Sequence, residues 1–98
     1  MAHALIRQKI GDYKKWKAAF ENDISIRHAA GSIGAQIFRD ADGANTVSLL
    51  MQFKDMESLQ ALLDRMQTPE MQKLMAGAGV VGPPEAVYVF SGVEETSA

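Results

Sequence analysis

Residues 2 to 10 alternate in character, with Ala4, Ile6, Gln8 and Ile10 on one side of an extended chain and His3, Leu5, Arg7 and Lys9 on the other. That period of two predicts a first strand. Gly11 ends it, Asp12 is suited to cap a helix, and Tyr13, Trp16, Phe20 and Ile24 then recur every three or four residues as far as Gly31. The spacing predicts one amphipathic helix stopped by a left-handed glycine. Ile33–Asp40 and Thr46–Phe53 read as two more strands, joined into a hairpin by the polar segment 40–45 with its Asp42-Gly43 pair. Asp55 caps a second helix whose Met56, Leu59, Leu62, Leu63 and Met66 form one stripe, and Thr68-Pro69-Glu70 restarts a short helix ending near Ala76. After the glycine- and proline-rich segment 77–84, Ala86–Phe90 has the β-branched and aromatic content of a last strand.

The order β-α-β-β-α-β predicts an α+β fold of the split βαβ, ferredoxin-like kind: a four-stranded antiparallel sheet with the first and third strands central and helices on one face. One domain is expected over residues 1–91, with 92–98 as a flexible tail. Val47, Leu49, Met51 and Phe53 make one side of the third strand much greasier than the other. By simple alternation its companions are Leu5, Ile33, Ala35, Ile37, Val87 and Val89, while Ile6, Phe38, Tyr88 and Phe90 lie opposite. The helices can cover only one of the two faces, so the greasy one is expected to pair with a second copy, sheet against sheet, in a homodimer; the alternative is that it lies under the helices and leaves the other face half wet.

Composition narrows the function classes. Ten Lys and Arg against twelve Asp and Glu, with no basic run longer than Lys14-Lys15, lack the electrostatic footprint of a nucleic-acid binder. The absence of cysteine removes disulfides, thiol catalysis and thiolate metal sites and fits a reducing cytoplasm. Arg7 interrupts the first apolar residues, and no apolar run approaches the roughly 20 residues of a membrane helix. No membrane partner is expected.

Asp12-Tyr13-Lys14-Lys15-Trp16-Lys17-x-x-Phe20, Arg27-x-x-x-Gly31-Ser32-x-Gly34, Phe38-Arg39 and Ala78-Gly79-Val80-Val81-Gly82-Pro83-Pro84-Glu85 follow one another in order. This pattern, from Ala2 to about Phe90, resembles the small dimeric α/β-barrel proteins of the antibiotic-biosynthesis-monooxygenase-like or cyclase-like branch. The resemblance implies a ferredoxin-like subunit that pairs through its sheet into a barrel, with a small pocket between sheet and helices. Members of that superfamily include cofactor-free oxygenases of polyphenols, polyketide cyclases, lactone isomerases and haem-degrading enzymes, so the reaction must be argued from the pocket. The haem-degrading branch carries a tryptophan in the sheet and a histidine on the second helix. Here the single Trp is on the first helix and the second has no His, so haem is not expected.

At about 100° per residue, Arg27 falls within the apolar stripe of the first helix, one turn after Asp23. Its guanidinium could bind a carboxylate, enolate or phenolate oxygen at the pocket mouth; equally, it could pack its stem and cap carbonyls at the helix end. His28 or Asp23 is the candidate base, and His3 a weaker one. Tyr13, Trp16 and Phe20 are expected to wall the pocket, faced by Tyr88 and by Gln8, Gln36 and Gln52; the three amides need a wet pocket or a ligand as partner, or else the strand phases slip and they face solvent at strand ends. The segment 77–84 has no phosphate-loop pattern and is expected to form a shaped lid. With two distant histidines, no metal site is expected. Together these residues suggest an enzyme without metal or nucleotide cofactor, acting on a small aromatic or polyketide-like carbonyl compound by proton abstraction. A non-catalytic dimer that holds a hydrophobic metabolite in the same pocket is the alternative.

Overall fold

Every strand expected from alternation forms. The computed structural model describes residues 1–43 and 45–97, so Ala44, in the expected hairpin turn, lies outside the described residues. The elements are β1 (Ala2–Lys9), α1 (Tyr13–Asn22), α2 (Ile24–Ala29), β2 (Ser32–Arg39), β3 (Thr46–Phe53), α3 (Met56–Met66), α4 (Pro69–Gly77) and β4 (Ala86–Phe90). The strands lie in the order β2-β3-β1-β4 with every neighbouring pair antiparallel. This is the ferredoxin-like α+β arrangement, with β1 and β3 central.

The register decides which face the helices cover, and here the expectation is corrected. Ala2, Ala4, Ile6 and Gln8 pair with Phe53, Met51, Leu49 and Val47, so these eight side chains share one face. That face is buried against Leu59 and packed by Phe20, Leu62, Leu63 and Met66 from the helices. The greasy side of β3 is therefore the core. The physical reason is area: placing Val47 to Phe53 beneath the helix stripes removes the most apolar surface from water, and complete burial of Phe53 and Leu59 contributes roughly 2–3 kcal/mol each. Leu5 opposes Leu50 and Tyr88 on the open face and is not a companion of the greasy side of β3, whereas Ile6, opposite Leu49, is. Gln36 and Gln52, opposite Leu50 and His3, also lie on the open face with Phe38 and Phe90.

The first helix is two helices rather than one. α1 begins where the Asp12 carboxylate accepts from the Lys14 amide and ends at Asp23, whose backbone (φ −95°, ψ 11°) breaks the helix before α2. Asn22 and Asp23 are poor interior helix residues because their short polar side chains compete for backbone groups. Gly31 follows with φ of 99°; its carbonyl accepts from the Lys54 amide at 3.0 Å, joining this corner to the end of β3. Asp55 and Thr68 cap α3 and α4 as expected, and Pro69 stands at the start of α4. Among the described residues no helix is long and apolar enough to cross a membrane.

Candidate functional site

A cavity of about 670 Å³ opens between α3, α4, the connection 78–85 and the helix-covered side of β4. The geometry follows from where the helices stop short. Val87 and Val89 share the covered face with Ile6 and Ala4, yet they remain 43% and 45% exposed because the helical layer does not reach across β4. The half-buried Leu63, Met66, Met75 and Val80 form an apolar floor. At the exposed rim stand three amides, Gln60 on α3, Gln67 at its C-terminal cap and Gln72 on α4. Pro83, Pro84 and Gly82 form the remaining wall.

That wall is anchored to β1. The Gly11 amide donates to the Gly79 carbonyl at 2.9 Å, Val81 to Lys9 at 2.9 Å and Glu85 to Arg7 at 2.8 Å, and Ile10 forms a single antiparallel bridge with Val80. Gln8 adds a side-chain tie: it is 5% exposed on the covered face, and its Nε2 donates to the Gly82 carbonyl at 3.3 Å. The segment expected as a lid is a braced wall in this structure. Of the strand glutamines expected beneath the helices, Gln8 alone is there, and it holds the wall rather than lining the cavity.

The other expected site residues lie elsewhere. Tyr13, Trp16 and Phe20 do form an aromatic ladder, with ring centroids 6.0 and 5.3 Å apart along α1. Trp16 is buried with Ile10 and Val47, however, so the ladder is core rather than a wall of either cavity. A guanidinium covers each end: Arg39 Cζ lies 4.0 Å from the Tyr13 ring centre and Arg27 Cζ 3.6 Å from that of Phe20. Arg27 also donates through Nη1 to the Phe20 carbonyl, which caps the broken end of α1. Burial pushes the Arg27 guanidinium below its ordinary pKa, against the opposing pull of Asp23 and Glu21. His28 and Asp23 are exposed on and beside α2. None of these three lines either cavity.

On the open sheet face, Gln52 Nε2 contacts Met1 Sδ at 2.9 Å, and His3 Nδ1 is buried without a hydrogen-bond partner. Arg7 is held by Asp40 through two bonds of 3.0 and 2.6 Å, with Ser48 Oγ at 3.3 Å and a Glu85 oxygen at 3.7 Å. The Arg7 bond holds the Asp40 carboxyl below its usual range. A second cavity, of about 350 Å³, lies between Ala30 and the first turns of α3, beside Lys54, Asp55 and Arg65. Among the described residues no group of three or more His, Asp or Glu side chains could hold a metal ion.

The cavity residues missed from sequence carried a signal. Gln60, Leu63 and Gln67 recur at helical spacing along α3 and into its C-terminal cap, as do Gln72, Met75 and Ala76 on α4, so an amide-flanked apolar stripe marks the same side of each helix.

No family model and no curated protein matches the chain. Solved structures do. SnoaB, a cofactor-independent oxygenase from Streptomyces nogalater, superimposes with a TM-score of 0.68 at 14% identity, covering 96% of this chain and 94% of that one. A protein from Bordetella bronchiseptica assigned as an antibiotic biosynthesis monooxygenase gives 0.68 at 14% identity, over 95% and 97% of the two chains. Rv0793 from Mycobacterium tuberculosis gives 0.58 at 19% identity, over 99% and 100%. The chain shares the ferredoxin-like fold of the antibiotic-biosynthesis-monooxygenase-like proteins over nearly its whole length.

Proposed function

We propose that the chain is a small-molecule enzyme of the cofactor-independent oxygenase or cyclase type, acting on an aromatic or polyketide-like carbonyl compound held in the 670 Å³ cavity. The observation that carries this reading is the cavity itself: an apolar floor with amides at its edge, on the helix-covered side of a fold shared with SnoaB. Such a site works by positioning the substrate and excluding water, while amide N–H groups stabilise a carbonyl oxygen as it gains charge. Arg27, His28 and Asp23 have no part in this scheme, because their side chains line neither cavity.

The second reading, a non-catalytic carrier of a hydrophobic metabolite, draws support from one observation: none of the described residues that line the cavity has an ionisable side chain. Oxygen uptake and product analysis against a panel of polyphenols, alongside thermal-shift binding, separate the two. Turnover that disappears in Leu63→Trp, which fills the floor, supports the enzyme; thermal stabilisation by the same compounds without turnover supports the carrier.

The reading includes a homodimer formed through the open sheet face. Phe38, Tyr88 and Phe90 are 52%, 56% and 42% exposed there, beside half-buried Leu5 and Leu50, an apolar surface of the kind that marks association.

A further inference from the structure

The cavity differs from the rest of the molecular surface in its charge. Lys, Arg, Asp and Glu make up 22% of the chain, yet among the described residues none of the side chains that line the cavity is ionisable. The cations nearest in sequence are directed elsewhere: Arg65 on α3 lines the smaller cavity, and Lys73 on α4 is exposed and absent from the lining. Gln60 Nε2 donates to Asp64 Oδ1 at 3.1 Å, which orients the Gln60 amide and leaves its carbonyl oxygen as an acceptor. Gln67 and Gln72 add both donors and acceptors to the rim.

We infer that this cavity selects an uncharged ligand, a ring compound with an apolar body for the Leu63, Met66 and Met75 floor and neutral carbonyl or hydroxyl oxygens for the three amides. The inference rests on the cavity being the functional site. A carboxylate or phosphate would lose hydration on the apolar floor with no countercharge among the lining side chains to replace it. An ammonium ion would lose its hydration on the same floor, where no lining side chain carries a countercharge. A ketone or phenol loses far less on leaving water, and the amides restore its hydrogen bonds.

The test uses the full chain and three probes with one skeleton: 2-acetylnaphthalene, 2-naphthoate and 2-naphthylmethylammonium, titrated at pH 7 and followed by methyl NMR at Met66 and Met75. The ketone is expected to shift both methyls with an affinity at least tenfold tighter than either charged probe. A charged probe binding there as tightly as the ketone overturns the inference and leaves the cavity as the site. If none of the three moves Met66 or Met75, the cavity assignment fails, and the inference with it. In Gln72→Arg, which places a cation at the rim, 2-naphthoate is expected to bind at least tenfold more tightly than to the unmodified chain. An unchanged affinity would show that missing countercharge is not the selector and would overturn the inference.

Discussion

At Gly31 the backbone carries φ of 99°, and an added Cβ would lie 2.6 Å from Ser58 Oγ and 2.8 Å from Ser58 Cβ. Left-handed strain and collision therefore act together against any side chain. Gly31→Ala is expected to lower stability by about 1–3 kcal/mol, seen as a lower urea midpoint with an unchanged slope. The buried Gln8 makes a different demand, because its amide reaches the Gly82 carbonyl from the floor of the sheet. Gln8→Met keeps the volume but deletes the donor, so a loss of about 1 kcal/mol is expected. Amide exchange should accelerate in residues 79–85 and stay unchanged in α1. Equal acceleration in both segments would mean that Gln8 supports the core in general and not the wall.

At the level of elements, the strands and the caps were legible because each depends on local pattern: Asp12, Asp55 and Thr68 cap where their side chains precede an apolar stripe, and the strand order followed from the β-α-β-β-α-β succession of elements. The pairing of faces was not legible. β1 offers two plausible sides, Ala4-Ile6-Gln8 and His3-Leu5-Arg7, and only the register Ala4↔Met51 joins the first to the greasy side of β3. Arg27 was expected within the apolar stripe of one continuous helix, but the break at Asp23 puts it on α2, with its guanidinium over the Phe20 ring and bonded to the Phe20 carbonyl. No periodicity reveals that break. The elements are also tied by carboxylates, which sets a pH dependence. Arg7 holds Asp40 below its usual range, and the Ser58 amide does the same for Asp55. Below about pH 4 the unfolded chain binds protons that these folded groups resist. Stability is therefore expected to fall as pH drops through that range and to be fully present above it. Urea midpoints between pH 2 and 7 measure the effect, and Asp40→Asn should flatten the curve.

For the whole molecule, covering the greasier face with helices leaves the other face moderately apolar. Light scattering at micromolar concentration is expected to show a dimer, and the double variant Phe38→Lys, Tyr88→Lys a folded monomer with an unchanged circular-dichroism spectrum. A monomeric parent protein would remove the homodimer from the functional reading. Ligand affinity at the cavity should survive in the monomeric variant, since the cavity is built within one chain from α3, α4, segment 78–85 and β4.

β1 serves both sides of the molecule within a few residues. Leu5 and Arg7 face outward, Gln8 faces inward to Gly82, and the backbone carbonyls of Arg7 and Lys9 receive the amides of Glu85 and Val81. Glu85 meets the same arginine twice, through its amide and through its carboxylate. A shift of this strand by a fraction of an ångström would move the proline wall together with the outward-facing side chains. Selection acting on how two copies fit would thus also reshape the chamber, and a lineage that retunes one would carry the mark in the other.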